Sequence, residues 1–129
     1  MSLVNIFESV EEWCIATDIT IPSEPTSLSV DRANLRYNLL DEENKEYLDA
    51  VRSNDLVEIA DALGDMLYVL VGTMLEHGMQ NHILDVFDEI HKSNMSKMDE
   101  SGKPILRDDG KILKGPNFFK PNINKIING

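Results

Sequence analysis

Apolar residues recur at helical spacing through the first hundred positions and mark out four amphipathic segments. Val4, Phe7, Val10, Trp13 and Cys14 share one face from about Ser2 to Thr17, with Glu8, Glu11 and Glu12 opposite, which predicts a first helix. Pro22 and Pro25 lie in a polar connector that ends it. Ser29 or Asp31 can cap a second helix reaching about Ser53, with Leu35, Leu39, Leu40, Tyr47, Ala50 and Val51 as its apolar face. Asn54-Asp55 reads as a turn, with Asp55 the N-cap of a third helix running to about Glu76 and Gly78 suited to its stop. A fourth helix, from about Asn81 to Met98, buries Ile83, Val86, Phe87 and Ile90.

Beyond Met98 the pattern breaks. Gly102, Pro104, Gly110, Gly115, Pro116 and Pro121 exclude a long helix. Pro104–Arg107 and Lys111–Lys114 flank Asp108-Asp109-Gly110, the signature of a short hairpin, and Ile123–Ile127 suits a last helical turn. The expected architecture is all-α: one domain over 1–129, a four-helix core at about 2–98, and an irregular tail at 99–129 packed across it.

The third helix carries the chemistry. Nearly every position from Leu56 to Leu75 is apolar, so this helix should be buried on most sides, in the core or against another subunit. Its exceptions, Glu58, Asp61, Asp65, Tyr68 and Gly72, are spaced by three or four and form one narrow stripe. No Lys or Arg lies between Asp55 and Glu76 to offset those stacked like charges. On the second helix, with Leu39 at zero, Glu43 falls at about 40° and Glu46 at about 340°, inside the apolar face. A bare carboxylate there costs several kcal/mol unless it is paired, hydrogen-bonded or metal-bound. Two helices thus aim carboxylates inward, and a divalent cation is the economical way to tolerate them. Oxygen-only ligands favour Mg²⁺, with Mn²⁺ a substitute, and Mg²⁺ is commonly completed by substrate phosphates. A ferritin-like di-iron site needs Glu-x-x-His, which His77, His82 and His91 do not provide.

Charge sharpens this picture. The 129 residues carry a net charge of −11. Residues 1–100 hold 6 basic and 21 acidic side chains, whereas 101–129 hold 6 and 2. An acidic body suits a cation and a basic tail suits an anion; the acidic balance also argues against nucleic acid as a partner. The one Cys forms no intrachain disulfide, no apolar run approaches the ~20 residues of a spanning helix, and no secretory-signal pattern opens the chain. A cytoplasmic protein with no membrane association is expected.

Glu42-Glu43-Asn44-Lys45-Glu46 resembles the EExxE element of the MazG-like all-α nucleoside triphosphate pyrophosphohydrolases, relatives of phosphoribosyl-ATP pyrophosphohydrolase and the dimeric dUTPases. The stretch from Glu58 to Tyr68 resembles their second element, ExxD followed by an apolar run. His91-Lys92-Ser93-Asn94-Met95-Ser96-Lys97 and Lys114-Gly115-Pro116-Asn117-Phe118 resemble the later segments of a phage and bacterial subgroup. The likeness covers roughly residues 35–121. One position departs: with Asp65 as the Asp of ExxD, the Glu position is Ala62, and Asp61 or Glu58 must supply the missing carboxylate.

The resemblance implies Mg²⁺-dependent cleavage of a nucleoside triphosphate between its α and β phosphates, giving the monophosphate and pyrophosphate. It implies metal ligands at Glu43, Glu46 and Asp65, with Asp61 and Glu58 as further candidates and Glu42 or Glu43 as the proton acceptor. Lys92, Asn94, Lys97, Lys111, Lys114 and Tyr68 are the candidate substrate contacts, in a homodimer or homotetramer. Two alternatives stand beside this reading: a non-catalytic helical module that binds nucleotide or protein, and a phosphoribosyl-ATP pyrophosphohydrolase, against which the tail segments argue.

Overall fold

Helices start where a side chain takes up the N–H groups that the first turn leaves unbonded. In the computed structural model, which describes residues 1–129, Ser2 accepts from Asn5 N and the Asn5 side chain answers the Ser2 N–H, opening α1 (Leu3–Ala16). Ser29, not Asp31, caps α2 (Val30–Arg52) through Arg32 N. Asp55 accepts from Val57 N and Glu58 N, both at 3.1 Å, and opens α3 (Leu56–Glu76). No helix is long and apolar enough to cross a membrane.

The chain divides into two compact units, Met1–Gln80 and Asn81–Gly129. In the first, α2 and α3 form an antiparallel helical hairpin across Ser53–Asn54, and α1 packs on α3. Val10 and Cys14 of α1 meet Val71 and Leu75 of α3, all four about 1% exposed, with Ile6, Phe7, Ile19 and Ile21 packed around them. Gly78 closes α3 with φ +67°, and a Cβ there would sit 2.2 Å from Glu24 O. Glycine therefore lets the connector lie against the helix end. Thr26 N donates to His77 O (2.9 Å), His77 Nδ1 to Thr26 O (2.7 Å) and Gln80 Nε2 to Pro22 O (2.8 Å), which tie it down.

The second unit holds α4 (Ile83–Met95), an antiparallel pair β1 (Ile105–Leu106) and β2 (Ile112–Leu113), and α5 (Ile123–Asn128). Ile105 faces Leu113 and Leu106 faces Ile112. The loop is the expected Asp108–Gly110, with Gly110 at φ +86°. The tail is held on α4: Ser93 Oγ donates to Phe119 O (2.9 Å), Phe119 N to Ser96 Oγ (3.1 Å) and Asn122 N to Glu89 Oε1 (3.3 Å).

Three expectations need correction. Helix α4 is shorter than Asn81–Met98, because Lys97 and Met98 turn back on Asn94 and Met95 with i→i−3 bonds. Its Phe87 is 70% exposed and Ile90 is exposed too, while Ile83 and Val86 are half-buried, so that face is only partly covered. For α3 the core alternative falls and only cover by another subunit stays open: within this chain Leu56, Val57, Leu63, Leu67 and Leu70 all lie exposed, as do Leu35 and Val51 on α2. The cause is orientation. In α3 the acidic stripe turns toward α2, and the leucines turn out.

Candidate functional site

The α2–α3 hairpin has a graded interior. Nearest the turn, Ala50 and Ala62 are small and buried, at 6% and 2% exposure, so the backbones approach closely there. Ala62, where the resemblance expects Glu, therefore packs between helices; a ligand at that position would have to displace this contact. One turn further along, Glu43 and Glu46 of α2 meet Asp65 of α3, each offering a carboxylate oxygen within 4.8 Å of the others.

Glu43 is the strained member. Its Oε2 is buried with no hydrogen-bond partner. Desolvation, first, then a hydrogen bond to Glu46 and the charges of Glu46, Asp65 and Asp61 push its carboxyl above the ordinary carboxylate range. The donor set, three carboxylates with one oxygen left unpartnered and no histidine or cysteine among them, fits a hard divalent ion.

Asp61 stands beside this trio, close enough to raise Glu43. Glu58 does not join it. Both instead line an adjoining acidic cleft of about 350 Å³ together with Glu46, Asp49 and Asp55. Glu42 is exposed. Tyr68 is half exposed, its ring edge-on to Trp13 with centroids 6.3 Å apart.

The remaining candidates belong to the second unit. Lys92 pairs with Asp88 one turn earlier on α4 (2.8 Å), and Asn94 lies exposed in the last turn of that helix. Lys114 stands over the Phe118 ring, 4.9 Å from its centroid, while Lys97 is half-buried and Lys111 exposed.

Sequence reasoning missed a buried ionic network at the far end of the hairpin. Glu76, 4% exposed, receives Arg32 Nε at 2.5 Å and Nη2 at 3.0 Å, and Arg36 Nη1 lies 3.0 Å from its Oε2. Arg36 also donates through Nε to Thr73 Oγ1 (3.0 Å) and through Nη2 to Val69 O (2.8 Å). The signal was present: on the wheel that singled out Glu43, Arg36 falls at about 60° and Arg32 at about 20°, on the same inward face. These arginines neutralise Glu76, and neither forms an ion pair with the acidic trio.

Residues 7–94 match the family model described as phosphoribosyl-ATP pyrophosphohydrolase. An uncharacterised protein of Acanthamoeba polyphaga mimivirus is 40% identical over 70 residues, covering 54% of this chain and 25% of that protein. The chain thus aligns with about a quarter of that relative's length.

Proposed function

The chain belongs to the phosphoribosyl-ATP pyrophosphohydrolase family, within the MazG-like all-α superfamily, and from that premise we propose that it hydrolyses a nucleoside triphosphate between the α and β phosphates, releasing the monophosphate and pyrophosphate. The observation that carries this reading is the convergence of Glu43, Glu46 and Asp65 around an unpartnered buried oxygen. In the proposed reaction those three side chains hold Mg²⁺ or Mn²⁺, and Asp61 stands in for the carboxylate absent at Ala62. The bound ion would neutralise phosphate oxygens and acidify a coordinated water. Glu42, exposed beside the trio, or Glu43 itself takes the proton of the attacking water. Lys92, Asn94, Lys97, Lys111 and Lys114 are proposed to meet the polyphosphate or the leaving pyrophosphate, and Tyr68 the nucleoside.

The functional unit is proposed to be a homodimer or homotetramer acting in the cytoplasm. The test is incubation of the purified chain with a panel of ribo- and deoxyribonucleoside triphosphates and phosphoribosyl-ATP, with Mg²⁺ or Mn²⁺, and resolution of the products. Monophosphate plus pyrophosphate is expected from at least one triphosphate. Orthophosphate release, or no metal-dependent turnover of any substrate in the panel, would overturn the proposal.

A further inference from the structure

A second cavity in the first unit, of about 380 Å³, is at the small end of the ~300–1,000 Å³ range of ligand pockets. Trp13, Arg36, Asp65, Tyr68 and Gly72 are among its lining residues. Asp65 also belongs to the acidic trio, so the two sites adjoin. Tyr68 and Gly72 follow Asp65 along one face of α3, carrying the cavity about 10 Å down the helix axis from the carboxylates. Trp13 and Tyr68, 54% and 41% exposed, present aromatic surface for a planar ring to stack on.

The wall contributed by Arg36 is unusual, because a 9%-exposed guanidinium borders an otherwise mostly apolar space. Its charge is balanced by Glu76 and its plane is fixed by Thr73 and Val69. Those partners do not exhaust its five N–H donors. Gly72 makes the seat possible: a Cβ there would lie 2.8 Å from Arg36 Nη2. A fixed cationic donor in a desolvated wall favours a ligand bearing an acceptor and penalises one that brings another donor.

We infer that this cavity holds the substrate's nucleobase and that Arg36, seated over Gly72, reads a carbonyl oxygen on the base, so that the site favours keto bases and rejects adenine. The inference rests on the proposed pyrophosphohydrolase reading and names the substrate class of that same site. Adenine alone among the common bases carries no carbonyl, and hypoxanthine differs from it at C6 by a carbonyl in place of the amine.

Trp13 is the only tryptophan, so its fluorescence reports the cavity without turnover. Titration of the metal-free chain with inosine and with adenosine should show inosine binding at least about tenfold tighter, the effect of one hydrogen bond to a charged donor. The same preference should appear in KM for inosine triphosphate against ATP. Gly72→Ala, which displaces the guanidinium, and Arg36→Lys, which keeps a cation beside Glu76, should each bring the two nucleosides to within about threefold. The wild-type comparison needs no variant: adenosine binding as tightly as inosine overturns the inference. Quenching by inosine without pyrophosphate release from any triphosphate would sink the catalytic reading and uphold the pocket. Pyrophosphate release with equal KM for the two triphosphates and no quenching would do the reverse.

Discussion

Glu43 is costly to the free fold because its carboxylate is desolvated and crowded by Glu46, Asp65 and Asp61. Its pKa is raised on folding, so in the window above the ordinary carboxylate value the folded chain holds a proton that the unfolded chain has lost. Stability therefore declines as pH rises through that window, and the penalty persists above it. Glu43→Gln removes the charge while keeping the shape. The expected outcome in metal-free buffer is a higher melting temperature than wild type at pH 7, with the gain vanishing below the ordinary carboxylate pKa. Mg²⁺ should raise the melting temperature of wild type and leave the variant unmoved. Turnover of whichever triphosphate proves to be the substrate should fall by at least about 100-fold, the low end of what a positioned acid–base group supplies. A variant that melts lower than wild type at pH 7, or keeps full turnover, would contradict this account. Glu43 was legible in the sequence because a charge inside an apolar face is conspicuous. Arg36 was equally placed, but its partners Thr73, Val69 and Glu76 lie more than thirty residues away and become visible only once the hairpin closes.

At the scale of elements, local rules were sufficient wherever a cap decides the boundary. Ser2, Ser29 and Asp55 each accept N–H groups of the first turn, so the starts of α1, α2 and α3 follow from side-chain chemistry. Helix α4 lacks that information: His82 makes no side-chain cap bond, and its ends lie inside the expected span. Two glycines near or within α3 illustrate how the same substitution changes sign with context. Gly78 has φ +67° and its added Cβ would collide with Glu24 O, whereas Gly64 lies mid-helix with nothing within 4 Å of the added carbon. Gly78→Ala should destabilise by more than about 1–2 kcal/mol, the cost of left-handed backbone alone, because the connector must also retreat. Gly64→Ala should stabilise by about 0.4–1 kcal/mol through the unfolded chain's lost freedom. Urea denaturation of the two variants beside wild type measures both; effects of equal sign would refute the contrast.

For the whole molecule, α3 poses a problem that one chain leaves unsolved. On its wheel Leu56, Leu63, Leu67 and Leu70 lie within an arc of about 60°, while Glu58, Asp61 and Asp65 lie on the opposite side. An ordinary surface helix would turn those leucines to the core and the acids to water. Here the acids face α2, where the trio forms, and the four leucines remain 42–77% exposed. The missing Lys and Arg along the acidic stripe already pointed the carboxylates inward, whereas the sequence left open whether the core or another subunit covers the leucines. A continuous apolar stripe of this kind marks an interface. With a net charge of −11, copies of the chain repel unless they meet through uncharged surface, and the leucine stripe is such a surface. A symmetric contact in which the same stripe serves both partners satisfies both demands. Light scattering after gel filtration should accordingly find a dimer or tetramer at micromolar concentration. Placing charge on the stripe with Leu63→Glu and Leu67→Glu should give monomers whose far-ultraviolet circular dichroism stays helical, since neither residue contributes to the buried core of α1 and α3. A monomeric wild type at that concentration would mean that α3 exposes its leucines for another reason, and the pairing of copies through this face would be abandoned.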